Sequence, residues 1–351
     1  MRRRTLLRAM GAAIGAIGLA LAADAARAQF ATPPAPPTDG LRVIFCGTSG
    51  PLPVRDRAKA CVAVQTPDGL YFVDVGPEAT ENLILWRLPL AQTRVVFLSH
   101  LHSDHIGEVG ELNLQSWVAG RPWPLALVGP PGVEKVAAGF NEAYAPDHVF
   151  RRAHHEHGTV KLPIAAGLLK AKVIVLPKPS ASGLATAVAW RDGPLTVTAI
   201  KVNHEPVTPA YAYRFDYKGR SVVISGDTRK WPPLAEAAKG ADLLVHEAQN
   251  ADMTRQFAAM LGRMGNARMA SIMTDTLSYH TTPVEAGEIA RAAGVKRLVL
   301  YHLTQAGLPM FTPEAFTRGI DAGGPLDWRL SKDGMTVDLP AGSDEIRFGQ
   351  Y

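Results

Sequence analysis

The sequence predicts an α/β fold in which two β-sheets face each other and helices cover both outer surfaces, a four-layer αββα sandwich. The chain has 351 residues, 47% of them hydrophobic, which is enough to bury a large core. Strand-like and helix-like segments follow one another without strict β-α alternation, and this pattern favours helices outside two facing sheets. Several strand-like segments also end in a titratable side chain, where a rigid sheet can point several groups at one place.

The segments are predicted from apolar and β-branched runs bounded by turn residues. The predicted strands are Leu41–Cys46, Ala60–Gln65, Gly69–Val75, Thr93–Leu98, Leu125–Val128, Leu195–Val202, Ser221–Ile224, Asp242–Val245 and Arg297–Leu300. Helices are predicted at Pro77–Arg87, Gly107–Ala119 and Val133–Tyr144. A further helix is predicted to begin after Thr282, with Thr282 as the N-cap, Pro283 at the first position and Glu285 at the third.

The first 28 residues predict an export signal rather than a part of the fold. The run Arg3-Arg4-Thr5-Leu6-Leu7-Arg8 fits a twin-arginine signal. The apolar run Met10–Ala23 has 14 residues, fewer than the roughly 20 that span a bilayer, and Ala26-Arg27-Ala28 fits a signal-peptidase site. An ordinary secretory signal is the alternative. Either route predicts a periplasmic or secreted protein without a stable membrane anchor.

Residues 29–40 follow as a proline-rich linker with little capacity to pack a core. No second linker and no fixed-period repeat comes after it, so residues 41–351 are predicted to form one domain. Residues 1–28 carry five Arg and one Asp, and their removal lowers the formal net charge from +5 to +1. A nearly neutral mature chain argues against a nucleic-acid-binding role.

The two cysteines lie in neighbouring strand-like segments. Cys46 ends one segment and Cys61 opens the next. A disulfide between them would persist in an oxidising compartment. The alternative is a pair of small, buried apolar residues. Neither cysteine has the Cys-x-x-Cys spacing of a zinc site.

A dense group of metal-ligand residues directly follows the predicted strand Thr93–Leu98. His100, His102, Asp104 and His105 lie within six positions, and imidazole and carboxylate groups suit zinc. In an extended segment, residues two apart project to the same side. His100 and His102 are therefore expected to share one metal ion, while Asp104 and His105, in the turn beyond, can reach a second.

Two metal ions need more ligands than this run supplies. His204, Asp227 and His302 each follow a strand-like segment, which makes them candidates for the missing positions. Asp227 stands in Ser225-Gly226-Asp227-Thr228, where the glycine allows a close backbone approach. A carboxylate can bridge two cations, which an imidazole cannot.

From Arg42 to about Leu303 the sequence resembles the metallo-β-lactamase superfamily, in particular its branch of ribonuclease Z-like and arylsulfatase-like hydrolases. The matching stretches are Phe45–Pro51, Tyr71–Gly76, His100–His105, Ser225–Thr228, His246–Ala248 and His280–Thr282. The resemblance implies the αββα sandwich of the metallo-β-lactamase type and two Zn²⁺ as cofactors. The family's ligand positions correspond to His100, His102 and His204 for one zinc ion, to Asp104, His105 and His302 for the other, and to Asp227 as the bridge.

One departure from ribonuclease Z concerns the substrate. Ribonuclease Z has a long arm between its third histidine ligand and its bridging aspartate, whereas only 22 residues (205–226) separate His204 from Asp227 here. Together with the predicted export and the nearly neutral charge, this predicts a small anionic ester substrate and no nucleic acid. A homodimer is compatible with the resemblance.

We therefore expect an exported dizinc hydrolase that cleaves phosphodiester or sulfate-ester bonds through a metal-bound hydroxide. His280 is the candidate general acid and Glu247 its orienting partner. Asp104 is counted among the catalytic residues as well as among the ligands. Asp74 is expected to hydrogen-bond to a ligand or to the ligand loop.

Two alternatives change the chemistry. A lactonase or β-lactamase would use the same metals on an acyl carbon, and a non-catalytic metal-binding protein would hold them without turnover. A second cluster of histidines surrounds Arg151-Arg152 and comprises His148, His154, His155 and His157. It would either line the mouth of the site and meet an anionic substrate, or belong to a solvated loop.

Overall fold

The computed structural model describes Ala35 and residues 37–351. The predicted signal peptide, residues 1–28, lies outside the described residues, as does most of the predicted linker. Within the described part, every helix is too short or too polar to cross a bilayer. The domain boundaries at 28 and 40 therefore stay predictions.

The described residues form strands that belong to two sheets. In chain order the strands are β1 (Gly40–Gly47), β2 (Cys61–Thr66), β3 (Gly69–Val73), β4 (Thr93–Phe97), β5 (Leu125–Gly129), β6 (Leu169–Val173), β7 (Thr186–Asp192), β8 (Leu195–His204), β9 (Val207–Tyr217), β10 (Arg220–Ile224), β11 (Leu243–Ala248), β12 (Arg297–Leu303), β13 (Trp328–Leu330), β14 (Met335–Pro340) and β15 (Arg347–Gln350). One sheet has the order β15-β14-β1-β2-β3-β4-β5-β6, and the other has the order β13-β12-β11-β10-β9-β8-β7.

The helices, also numbered in chain order, lie between these strands. They are α1 (Ala79–Leu85), α2 (Ser103–Ile106), α3 (Val109–Val118), α4 (Val133–His155), α5 (Pro232–Ala237), α6 (Ala251–Arg263), α7 (Ala267–Asp275), α8 (Pro283–Ala293) and α9 (Pro313–Phe316). The predicted N-terminus of α8 is confirmed: the Thr282 side chain accepts from the Glu285 backbone N–H, and the Glu285 carboxylate accepts from the Thr282 backbone N–H. This reciprocal pair satisfies two N–H groups that the first helical turn leaves free.

Three apolar clusters show how the layers stack. The cluster between the two sheets contains Val43, Phe45, Tyr71 and Phe97 from one sheet and Val197, Tyr213, Phe215, Val245 and Tyr301 from the other. Ile44 and Cys46 alternate with Val43 and Phe45 and belong to a second cluster, on the side covered by α1, α3 and α4. A third cluster joins the outer face of the other sheet to α5 and α8. The four-layer prediction is confirmed.

The two cysteines form a disulfide. Cys46 in β1 is bonded to Cys61 in the neighbouring strand β2, and their Cα atoms are 5.0 Å apart. The bond closes a loop with a sequence separation of 15. Of the two alternatives that the sequence left open, the structure therefore has the cross-link.

Parallel strands bring several chain segments to one edge of the sandwich. Strands β3, β4 and β5 run parallel to one another, and so do β10, β11 and β12. Because carboxyl ends of parallel strands meet at the same edge of a sheet, the residues that end these strands lie close together. The helical pair α6 and α7 is inserted in this region, between β11 and α8, and its two helices pack against each other.

Candidate metal centre

The seven candidate ligands meet where strands end. They follow or end β4, β8, β10 and β12, and they are His100, His102, Asp104, His105, His204, Asp227 and His302. His102 is extended and caps α2, so the first turn of this short helix presents Asp104 and His105. The structure thus brings together side chains from four separate stretches of the chain.

One cluster consists of His100, His102, His204 and Asp227. The Nε2 atom of His100 lies 2.9 Å from Nδ1 of His102. The Oδ2 atom of Asp227 lies 3.9 Å from Nε2 of His100 and 3.9 Å from Nε2 of His204. All four donor atoms therefore surround a common point.

The second cluster consists of Asp104, His105 and His302. Oδ2 of Asp104 lies 3.6 Å from Nε2 of His105 and 3.3 Å from Nε2 of His302. Asp227 reaches this cluster too, with Oδ2 3.4 Å from Nε2 of His105 and Oδ1 3.5 Å from Nε2 of His302. Its carboxylate thus stands between the two clusters.

The residues fit a pair of metal ions. Four ligands at about 2.0–2.1 Å from a tetrahedral ion are spaced about 3.3 Å from one another, close to the separations found here. Nε2 of His105, Nε2 of His204 and Oδ1 of Asp227 are buried and have no hydrogen-bond partner, an arrangement that is costly unless another group satisfies them. The clusters are compatible with a dimetal site, although the geometry does not select the ion.

Gly226 permits the approach of Asp227 to the first ligand loop. Its backbone has φ +58°, and a Cβ atom there would stand 2.6 Å from the Ser99 side chain and 2.7 Å from the Tyr211 carbonyl oxygen. Only glycine fits such a position without strain. The close backbone approach expected at this glycine is confirmed.

The carboxylates and imidazoles of the two clusters shift one another's pKa values. Burial alone would keep His105 neutral, but Asp227 and Asp74 beside it raise the pKa of this imidazole well above its usual value. Burial likewise opposes ionisation of Asp104, yet His105 and His302 lower the pKa of its carboxyl to about 2. Burial lowers the pKa of His100 and keeps that ring in the neutral form that binds metals.

Asp74 supports the ligand loop from behind. It directly follows β3, and its Oδ2 accepts hydrogen bonds from the Ser99 hydroxyl at 2.7 Å and from His105 Nδ1 at 2.8 Å. Its Oδ1 accepts from the Ser99 backbone N–H at 2.8 Å. Because Nδ1 of His105 is engaged in this way, Nε2 is the nitrogen left for a metal. Ser99 also contacts His100 Nδ1 at 3.0 Å.

His280 and Glu247 form a second charged pair beside the clusters. Oε1 of Glu247 lies 2.8 Å from Nδ1 of His280 and also accepts from the Thr228 backbone N–H at 3.0 Å. Burial disfavours the charged imidazole, but Glu247 outweighs it and raises the pKa of His280 to about 9. The His280 ring belongs to a third potential ligand group with Asp227 and His302.

The second histidine cluster lies away from this site. Helix α4 begins next to the ligand loop, where a Cβ atom on Gly132 would stand 2.7 Å from Leu101. The helix then spans 23 residues, about 34 Å at the usual rise. His148 is buried against Trp117, while His154 and His155 are exposed at the far end. His148, His154 and His155 thus belong to α4, whereas His157 is exposed in the turn that follows the helix. The cluster lies toward the end of α4 that is far from the ligand loop, so it does not line the mouth of the site.

Two contributors to the site were not singled out from the sequence. Ser99 links Asp74 to the ligand loop, and the backbone carbonyl of Tyr279 accepts a hydrogen bond from Nδ1 of His204 at 3.0 Å. Each residue directly precedes a candidate site histidine in the sequence. Their position next to a candidate site histidine was the one feature of the sequence that could have identified them as part of the site.

Similarity to known proteins agrees with the fold. The sequence model of the beta-lactamase superfamily domain matches residues 71–303. Ribonuclease Z of Mycobacterium bovis (strain BCG / Pasteur 1173P2) is 33% identical over 270 residues, which cover 76% of this chain and 87% of that protein. A metallo-beta-lactamase fold protein from Bacillus subtilis superposes with a TM-score of 0.58 at 21% identity, covering 86% of this chain and 100% of that chain. The short form of human tRNase Z gives 0.55 at 20% identity, covering 85% and 99%.

These relatives correct the predicted substrate. The predictions of a small anionic ester and of no nucleic acid are wrong, because relatives that share about a third of their residues with this chain are named ribonucleases. The same names give no support to sulfate-ester or acyl chemistry. The inference from net charge failed because net charge is a sum over the whole chain. A dimetal centre supplies positive charge locally, where a phosphate binds.

The donor geometry fits two metal ions, the two facing sheets are covered by helices on both sides, and the family match spans residues 71–303. This chain therefore belongs to the metallo-β-lactamase superfamily of metal-dependent hydrolases.

Proposed function

We propose that this chain is a metal-dependent phosphodiesterase that cleaves RNA. One observation carries the proposal: His280, hydrogen-bonded to Glu247, stands in the same ligand group as Asp227 and His302. A proton donor is therefore held beside the position where a metal-bound phosphate would lie. The ribonuclease Z relatives indicate RNA as the class of phosphodiester.

We propose zinc as the ion, because imidazole nitrogens and carboxylate oxygens at tetrahedral spacing are typical zinc ligands. When bound, two zinc ions supply a nucleophilic water at neutral pH and positive charge for the phosphoryl oxygens. The seven candidate ligands hold the ions. Glu247 accepts the proton on Nδ1 of His280 and leaves Nε2 free to deliver a proton to the departing oxygen of the RNA. Asp104 acts as a ligand, and its carboxylate is one of the neighbouring charges that raise the pKa of His105.

The experiment uses the purified, zinc-loaded protein and single-stranded and hairpin RNA. We expect cleavage that a chelator abolishes and zinc restores. His280→Asn should lower kcat by roughly 100-fold or more, the usual contribution of a general acid, with zinc content unchanged. His155→Asn, an exposed histidine at the far end of α4, is the matched control. Absence of RNA cleavage by zinc-loaded protein would overturn the proposal, and loss of zinc from His280→Asn would reassign His280 as a ligand.

We also propose that the protein works outside the cytoplasm. Two observations support this: the predicted signal at residues 1–28, and the Cys46–Cys61 disulfide, a bond typical of oxidising compartments. Cell fractionation of the native producer tests it. Replacement of Arg3 and Arg4 by Lys should retain the precursor if the twin-arginine route is used, and should have little effect on the ordinary secretory route. Wild-type protein found uncleaved in the cytoplasm would contradict export.

A further inference from the structure

Tyr279 is fixed to the metal centre by its backbone. It follows the 3₁₀ turn Thr276–Ser278 and directly precedes His280. Its carbonyl oxygen accepts the hydrogen bond from Nδ1 of His204, the nitrogen opposite the one that faces Asp227. A movement of the Tyr279 backbone would therefore disturb a candidate ligand.

The ring of Tyr279 packs against the imidazole rings of His204 and His280. Its centroid lies 5.2 Å from that of His204, with the planes at 87°, and 5.0 Å from that of His280, with the planes at 51°. The side chain is only partly buried. Since two of its neighbours are a candidate ligand and the candidate proton donor, the ring borders the space in which a scissile phosphate and its flanking nucleotide would lie.

Within the part of the chain that the structure describes, the hydroxyl group of Tyr279 makes no hydrogen bond that would stabilise the fold. Among the described residues it has no hydrogen-bond partner, whereas the hydroxyls of Tyr211 and Tyr213 donate to the carbonyls of Ile174 and Leu98. Buried tyrosines usually find such a partner. A tyrosine ring at the rim of a site, free of a structural hydrogen bond, offers an aromatic face to a ligand.

Every nucleotide next to an RNA phosphodiester carries a flat aromatic base. Stacking of a base on an aromatic side chain is tolerant of sequence and changes affinity by roughly 5- to 150-fold per base. We infer that the Tyr279 ring stacks on the base of a nucleotide flanking the scissile bond and so selects nucleic-acid diesters over other diesters. This inference rests on the proposed RNA-cleaving function.

The test compares Tyr279→Leu and Tyr279→Phe on RNA with a defined cleavage site. Matched substrates carry an abasic ribose on the 5′ or on the 3′ side of that site. We expect Tyr279→Leu to lower kcat/KM on intact RNA by at least about 5-fold and to become insensitive to one of the two abasic substitutions. Tyr279→Phe keeps the ring and should behave like the wild type. Tyr144→Leu, a half-buried tyrosine on α4, is the control.

The outcomes separate the two proposals. Stacking is overturned if the effect of Tyr279→Leu on kcat/KM is the same for intact RNA and for both abasic substrates. It is also overturned if Tyr279→Phe lowers kcat/KM as much as Tyr279→Leu does. Loss of zinc from Tyr279→Leu also overturns it, because the residue would then act only by positioning His204. Failure of the wild type to cleave any RNA overturns the proposed function itself.

Discussion

Asp74 Oδ2 lies 2.8 Å from Nδ1 of His105, and both residues are buried. The carboxylate accepts the imidazole proton on one ring nitrogen and leaves the other for the metal centre. This contact joins the end of β3 to the ligand turn that follows β4. Both the tautomer and the orientation of a candidate ligand depend on it.

Asp74→Asn should therefore weaken metal binding by roughly 10- to 100-fold, the usual effect of losing such a partner. An amide group that points its N–H at His105 favours the tautomer with the proton on Nε2, the nitrogen that faces the metals. Zinc affinity by competition with a chromogenic chelator measures the effect. Asp216→Asn, at a more exposed aspartate on β9, should leave zinc affinity unchanged; equal affinities for the two variants would contradict the role of Asp74.

Glu247→Gln should lower kcat without releasing zinc. The substitution removes the charge that, against the cost of burial, raises the pKa of His280 to about 9. The protonated imidazole is the form that donates, and it is lost as pH rises through its pKa. The alkaline limb of the kcat profile should therefore move to lower pH in Glu247→Gln. Glu236→Gln, at an exposed position on α5, should keep the wild-type profile. An unshifted limb would show that His280 is not the group that titrates.

Gly50→Ala should damage the second metal cluster. A Cβ atom at residue 50 would stand 2.9 Å from Cε1 of His302 and 2.9 Å from the Thr304 side chain, so the ligand ring would have to move. We expect a lower zinc stoichiometry, measured by elemental analysis. Gly139→Ala, on α4, meets nothing within 4 Å and serves as the control. Full zinc occupancy in Gly50→Ala would mean that His302 tolerates the displacement.

Removal of the disulfide should lower the free energy of unfolding. A cross-link that closes a loop of about 15 residues restricts the unfolded chain and stabilises by about 3 kcal/mol in the chain-entropy account. The double variant Cys46→Ala, Cys61→Ala should lose stability of this order in urea unfolding. Wild-type protein kept in a reducing agent should fall to nearly the same level, and unchanged midpoints in both experiments would argue against the cross-link.

The parts of the fold that follow simple residue patterns were predicted from the sequence. The strand ahead of His100 and the start of α8 appear where the apolar run and the capping residues placed them. Strand β9 (Val207–Tyr217) was missed because its pattern contains Pro209 and several polar residues, and its position depends on pairing with β8 and β10. Helix α4 extends to His155 instead of Tyr144, through Pro146, because the packing of His148 against Trp117 outweighs the weak local preference.

Candidate ligands were accessible to sequence analysis because each has a distinctive side chain at a strand end. Their supporting partners were harder to find. Ser99 is an ordinary residue in the sequence, and its two contacts with Asp74 arise only because the fold brings the end of β3 beside the end of β4. The substrate class was predicted wrongly for a related reason: in a dimetal site the positive charge that binds a phosphate is supplied by the ions, and the net charge of the residues does not include it.

The chain segments that enter and leave the helical pair α6–α7 lie next to each other. Gln249 N–H donates to the Thr281 carbonyl at 2.8 Å, so one backbone contact closes the base of the excursion. Glu247 comes two residues before Gln249 and His280 directly before Thr281, so this hydrogen-bonded pair lies next to the contact that closes the insert. We therefore expect that the helical pair, residues 251–275, can be shortened or replaced without moving the Glu247–His280 pair, provided that Tyr279 is kept.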